Sequence, residues 1–112
     1  MKLLKLTAKA YMEYCYTVKG NERTTFDQAK RKLSRNVQLV KEAAPDRIVR
    51  GLFYNTYHYG NMKITVRLGK IIKVENSKGK PVKWKFPKER YIELSKEFGI
   101  TDSKFGNMFV NK

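Results

Sequence analysis

From Thr25 to Pro45 the sequence writes one amphipathic helix with both ends marked, and the rest of the chain must fold around it. Thr25 followed by Gln28 is a capping box, in which the hydroxyl accepts a first-turn N–H and the Gln side chain reaches back to the cap. Phe26, Ala29, Leu33, Val37, Val40 and Ala44 then form one apolar stripe at three- and four-residue spacing. Lys30, Arg31, Arg35 and Lys41 lie off it, and Pro45 ends the run. A stripe this long needs an apolar surface opposite, so a helix over 25–44 fixes one layer of the core.

The opposing layer is written after Gly60, where the apolar period changes to two. Ile64 and Val66 alternate with Lys63, Thr65 and Arg67, Leu68-Gly69 offers a turn, and Ile72 and Val74 continue a second strand. A turn cluster follows at 76–79, and Val82, Trp84 and Phe86 then alternate with Lys83 and Lys85. The pattern predicts a three-stranded antiparallel sheet over about 62–86 with one apolar and one basic face. Trp84 is expected to pack that sheet against the long helix. Leu4, Ala8, Tyr11, Cys15 and Val18 predict a helix over 4–18, the alternative being a short strand over 2–6 before a shorter helix. Asp46 can cap a third helix over 46–58 carrying Ile48, Val49, Leu52, Phe53 and Tyr57, although Gly51 and the aromatic run leave a strand open. Pro87 suits the start of a helix over 88–98, Gly99 its left-handed end, and Phe105, Met108 and Phe109 a last helix over 102–110. The expected fold is a single α+β domain, its sheet covered on one face by helices.

Charge narrows the function. The 112 residues hold 25 Lys+Arg against 10 Asp+Glu, a formal net charge of +15. Self-repulsion on this scale destabilises a folded chain unless an anionic partner meets it. Between Met62 and Arg90 stand Lys63, Arg67, Lys70, Lys73, Lys78, Lys80, Lys83, Lys85, Lys88 and Arg90, against Glu75 and Glu89. On one sheet face and its turns, these side chains would hold phosphates. Lysine also serves on exposed strands to prevent edge pairing, so the charge pattern has a purely structural reading too. Cys15 is the lone cysteine, which removes an intramolecular disulfide and a cysteine-based metal site. No run approaches the roughly 18 apolar residues that cross a bilayer. A soluble, cytoplasmic chain is expected (host cytoplasm if phage-encoded), with no cofactor.

Residues 91–108, from Tyr91 through Ser95, Gly99, Ile100 and Phe105 to Met108, resemble the helix-turn-helix of bacterial regulators. Ser95 is small where two helices would cross, Gly99 supplies the turn, and Phe105 and Met108 would anchor a second helix. The resemblance implies that Thr101, Asp102, Ser103, Lys104 and Asn107 face DNA. Gly106 and Asp102 depart from that pattern. The order of three helices followed by a basic hairpin is also that of a winged-helix domain, in which Arg47, Arg50 and Asn55 would read DNA and the turn lysines would form the wing.

Two other functions fit the composition. His58 is the one histidine, and with Arg50 or Arg67 and Glu42 it could serve a small basic ribonuclease. No phosphate loop, metal-ligand spacing or nucleophile motif accompanies it. Small Lys-rich domains of this kind are also typical of phage and mobile elements, where they can act as inhibitors docked on an acidic or nucleic-acid-binding host protein. Phe53 at helical spacing from Tyr57 reads as core, while Tyr54 and Tyr59 could be core or could stack bases beside Arg50 and Arg67. The expectation is therefore a non-catalytic nucleic-acid-binding protein of phage or mobile-element type, with DNA ahead of RNA.

Overall fold

A computed structural model describes residues 3–18, 20–77 and 84–101. The fold is α+β, as the alternating periods predict, but its sheet is larger than the local pattern shows. Five strands, β1 (Lys5–Leu6), β2 (Ile48–Arg50), β3 (Asn55–Tyr59), β4 (Met62–Arg67) and β5 (Lys70–Asn76), lie in the spatial order β1-β5-β4-β3-β2. Strands β2 to β5 form an antiparallel meander, and β1 joins β5 in parallel. Three α-helices, α1 (Ala8–Thr17), α2 (Phe26–Ala43) and α3 (Lys88–Glu97), and one short 3-10 turn complete the described elements.

The long helix forms where its end signals place it. Thr25 Oγ1 accepts from Gln28 N at 3.2 Å, and Ala29, Leu33, Val37 and Val40 are buried against Tyr57, Ile64, Ile71 and Val74 of the sheet. Only half of the capping box forms. The Gln28 side chain turns instead to the end of α3, accepting from Thr101 N and donating to the Gly99 carbonyl. Because α3 packs on α2, Arg35 is buried rather than off the core. Its guanidinium stacks 4.0 Å from the centre of the Tyr91 ring and donates to Ser95 Oγ and Asn36 Oδ1. Leu39, Tyr91, Leu94, Phe98 and Ile100 form a second core between these two helices.

At the N-terminal end the strand alternative holds, and α1 starts at Ala8 rather than Leu4. Lys5 N donates to the Gly69 carbonyl and Thr7 N to that of Ile71, so these residues pair with β5 before Thr7 caps the helix. Beyond this two-residue strand the edge of β5 is closed by α1, whose Glu13 carboxylate accepts from Val74 N at 2.9 Å. An edge so capped resists pairing with another chain.

Residues 46–58 correct the third-helix expectation. Pro45–Arg47 make one 3-10 turn, and the chain then enters β2 and β3. Gly51 decides this locally. Its N–H donates to the Tyr54 carbonyl at 2.8 Å, and a Cβ there would stand only 2.7 Å from that oxygen. The tight hairpin therefore needs glycine, and with strands in place of a reading helix the winged-helix order is lost. The sheet also ends earlier than 86. Trp84 and Phe86 are in no strand but pack edge-on with Tyr59 at the β3–β4 turn, where Arg47 lies 5.7 Å from the Trp84 ring. Trp84 thus packs on the end of the sheet, not between the sheet and α2.

Pro87 immediately precedes α3, and Gly99 has the left-handed φ of +70° expected at its end. The second helix of the helix-turn-helix resemblance, over 102–110, lies outside the described residues, as do Val82 and the turn at 78–79.

Candidate nucleic-acid interface

Helices α1 and α2 bury one face of the sheet, and register shows what the other face carries. Residues paired across adjacent strands project to the same side. Tyr57, Ile64 and Val74 form one inner row, and Ile71 and Val66 another. Ile71 and Val74 are three residues apart, an odd spacing that a regular strand would send to opposite faces. A bulge opposite Thr65 and Val66 inserts Ile72 and brings both inward. The alternation of Ile72 with Val74 in sequence is therefore not the inner row, and Ile72 is only half-buried.

The outer face follows from the same register. At one end Lys5, Lys70 and Arg67 stand side by side on β1, β5 and β4. The next row holds Lys73, Thr65, Thr56 and Val49, and the third Glu75, Lys63 and His58. No described helix covers these rows. Five exposed cations thus share the face with one carboxylate, Glu75, whose Oε1 lies 3.7 Å from Lys73 Nζ. Strands in a sheet are about 4.8 Å apart, so the Lys5–Lys70–Arg67 row spans roughly 10 Å. Like charges directly opposed across strands destabilise a sheet. An anion laid across the row would remove that cost.

Of the predicted site residues, Lys63, Arg67 and Lys73 share this face. Lys70, named with them in the basic run of the sequence, and Lys5, which lies outside that run, complete it. Arg50 is exposed at the end of edge strand β2. Arg47 is turned inward, donating to the carbonyls of His58 and Gly60. Arg90 clamps α3 to α2 through two bonds to Glu42, at 2.6 and 3.0 Å, with Glu93 and Glu97 nearby. Those carboxylates keep its guanidinium firmly charged and occupied within the fold. Lys85 and Lys88 are exposed before and at the start of α3, away from the strand register. Lys78, Lys80, Lys83, Ser103, Lys104 and Asn107 lie outside the described residues.

His58 is half-buried on the outer face opposite Lys63, and Glu42, its suggested partner, is held by Arg90. Desolvation, then Lys63 and Arg47, lower the imidazole pKa below its ordinary value, so the ring is neutral at pH 7. The groups acting on it are cations, not a carboxylate that would orient it as a general base. No group of three or more His, Cys, Asp or Glu able to hold a metal ion occurs among the described residues. None of the described helices is long and apolar enough to cross a membrane.

The end of the sheet beside Lys70 and Arg67 carries a second feature, which corrects the expected burial of Phe53. The β2–β3 and β4–β5 turns lie side by side there and expose Leu52, Phe53, Tyr54 and Leu68. Helical spacing suggested that Phe53 and Tyr57 share a buried face. The hairpin instead leaves Tyr57 in the core and Phe53 at the tip.

Comparison with known proteins places this arrangement in one family. The YorE family model matches residues 4–97, which include all the described strands and helices. The chain belongs to the YorE family. It is 47% identical over 116 residues to the SPbeta prophage-derived uncharacterized protein YorE of Bacillus subtilis (strain 168), covering 100% of this chain and 94% of that relative. No solved structure matches the chain. The open basic face and the exposed tip of this YorE-family chain both fall within the matched span.

Proposed function

We propose that the chain is a non-catalytic nucleic-acid-binding protein of phage or mobile-element type, which holds DNA by its phosphates on the open face of the sheet. The observation that carries this reading is the cross-strand row Lys5–Lys70–Arg67, with Lys73 and Lys63 behind it on the same face, which no described helix covers. Nothing within the described fold neutralises the row, whereas Arg47 and Arg90 are held by internal partners. The prophage origin of the B. subtilis relative suits a protein that acts on nucleic acid in an infected cell. The exposed apolar tip also suits a protein partner, which is the second reading.

Fluorescence anisotropy with labelled duplex DNA, single-stranded DNA and RNA of equal length tests the proposal. The parent should bind DNA more tightly than RNA, and the combined Lys63→Glu, Arg67→Glu, Lys70→Glu variant should lose binding at least a hundredfold. Far-UV circular dichroism should match the parent, because all three side chains are exposed. Affinity for every nucleic acid weaker than about 10⁻⁴ M at physiological salt would reject the reading in favour of a protein partner. So would binding indifferent to the three reversals.

A further inference from the structure

We infer that the apolar end of the sheet is a seat for unpaired nucleobases, so that the protein prefers single-stranded over fully paired nucleic acid. This rests on the phosphate-binding reading of the adjoining face and adds what meets the bases. Four large apolar side chains crowd this end, with Leu52 89%, Phe53 67%, Tyr54 51% and Leu68 93% exposed. Isolated exposed hydrophobics are ordinary on a protein surface, but a cluster at one end is not. Together with Lys41 and the inner-row residues Asn55, Tyr57 and Val66 they line an open cleft of about 400 Å³ on the helix side of the tip. That is within the range of small-ligand sites and roomy enough for a base.

The local backbone holds this cluster in place at some cost to stability. Leu68 has φ +49°, the sole left-handed residue other than glycine among those described. With Gly69 at +74° it gives the β4–β5 hairpin two positive-φ central residues, positions where Asn-Gly is the favoured pair. Leu there is both strained and almost wholly exposed, and no contact within the described fold accounts for it. Across the cleft, the close approach of Gly51 to the Tyr54 carbonyl fixes the hairpin that presents Leu52 and Phe53.

Charge identifies the occupant. No carboxylate lines the cleft. Arg67 and Lys70 flank the Leu68 turn on the open side, and Arg50 and Lys41 stand on the helix side. Lys73 and Lys63 continue the positive track along the face, roughly 7 and 14 Å behind the first row at two residues per row. A flat anionic surface touching the tip would not reach these rear cations, whereas a linear polyanion lying along the open face would meet Lys63, Arg67, Lys70 and Lys73 and pass over the tip toward the cleft. Its terminal or unstacked bases would then fall against Phe53 and Tyr54, whose flat faces stack any base. Base–aromatic stacking of this kind contributes roughly five- to 150-fold in affinity per base.

Three labelled ligands test this: a twelve-residue oligothymidine, an abasic strand of the same length and a fully paired duplex. The parent should bind oligothymidine at least tenfold more tightly than the abasic strand or the duplex, with quenching of tyrosine fluorescence. Phe53→Ala with Tyr54→Ala should abolish that preference, Phe53→Trp with Tyr54→Phe should keep it, and Phe53→Ala alone guards against disturbance of the hairpin by loss of Tyr54. Equal parental affinity for the three ligands, or a preference that survives both alanine variants, overturns the base seat and leaves phosphate binding standing. No binding to any of them removes both readings. Sedimentation with phosphatidylglycerol-containing vesicles that requires Phe53 and Tyr54, without an oligothymidine preference, would reassign the tip to lipid.

Discussion

Replacing Leu68 by Asn should make the protein more stable and worse at holding single strands. At φ +49° the Leu Cβ crowds the following carbonyl, which costs about 1–2 kcal/mol for an ordinary L-residue. Asn tolerates this conformation because its short polar side chain can hydrogen-bond to the local backbone. At 93% exposure Leu68 loses almost no burial on substitution. The net gain is about 1 kcal/mol, which in urea, with a slope of roughly 2 kcal/mol/M, raises the midpoint by about 0.5 M. The melting temperature should rise by roughly 4 °C. Leu68→Gly relieves the same strain but adds unfolded-state entropy worth roughly 0.5–1 kcal/mol, so it should fall between parent and Asn. Urea melts of the three proteins check the order, with an unchanged slope showing that the unfolded state is not the cause. A midpoint for the Asn variant at or below that of the parent would refute the reasoning, because Leu68 would then contribute packing that its exposure denies. The same variant should lose affinity for oligothymidine, separating stability from function at one residue.

Gly51→Ala should lower stability by roughly 1–3 kcal/mol, because the new Cβ would meet the Tyr54 carbonyl at 2.7 Å; a urea melt reads the loss. Tyr59 should give an alkaline signature. Burial raises its phenol pKa above the ordinary 10.0, so the fold keeps a proton that the unfolded chain releases. Stability from this group is whole below pH 10 and lost as pH rises above it, by up to about 1.4 kcal/mol per pH unit. Tyr59→Phe should remove that slope, and the difference between parent and variant isolates it from lysine titration. The Arg90–Glu42 clamp is partly exposed and screened by solvent, so Arg90→Ala should lower the melting temperature only slightly.

The parts of this fold legible in the sequence are those whose signals are local and redundant. Helix α2 has a cap, a stripe and a terminating proline, and β4 and β5 have alternation around a Leu-Gly turn. Where one residue type served two roles, reading failed. Phe53 and Tyr57 have helical spacing by coincidence, and the deciding fact, Gly51 pressed against the Tyr54 carbonyl, is a contact made only after the hairpin closes. Gln28 has the sequence of a capping box but bonds to Gly99 and Thr101, more than seventy residues away. Arg35 looks like a surface cation until α3 covers it. The candidate site was legible as excess charge but not as geometry. Lys5 enters the basic row only through parallel pairing of a two-residue strand with β5, and Lys73 faces outward with Lys70 only because a bulge absorbs Ile72. Conversely Arg47 and Arg90 count toward the net charge while being held by partners inside the fold.

The central claim is that the open sheet face binds phosphates, and the salt dependence of duplex DNA affinity tests it most directly. With four to five of the cations Lys5, Lys63, Arg67, Lys70 and Lys73 on phosphates, log K should fall against log salt with a slope of about −4. Affinity should then drop roughly 250-fold between 50 and 200 mM salt. The Lys63→Glu, Arg67→Glu, Lys70→Glu variant should flatten the slope by at least about 2.5. A parental slope near zero, or one that the three reversals leave unchanged, would contradict the account.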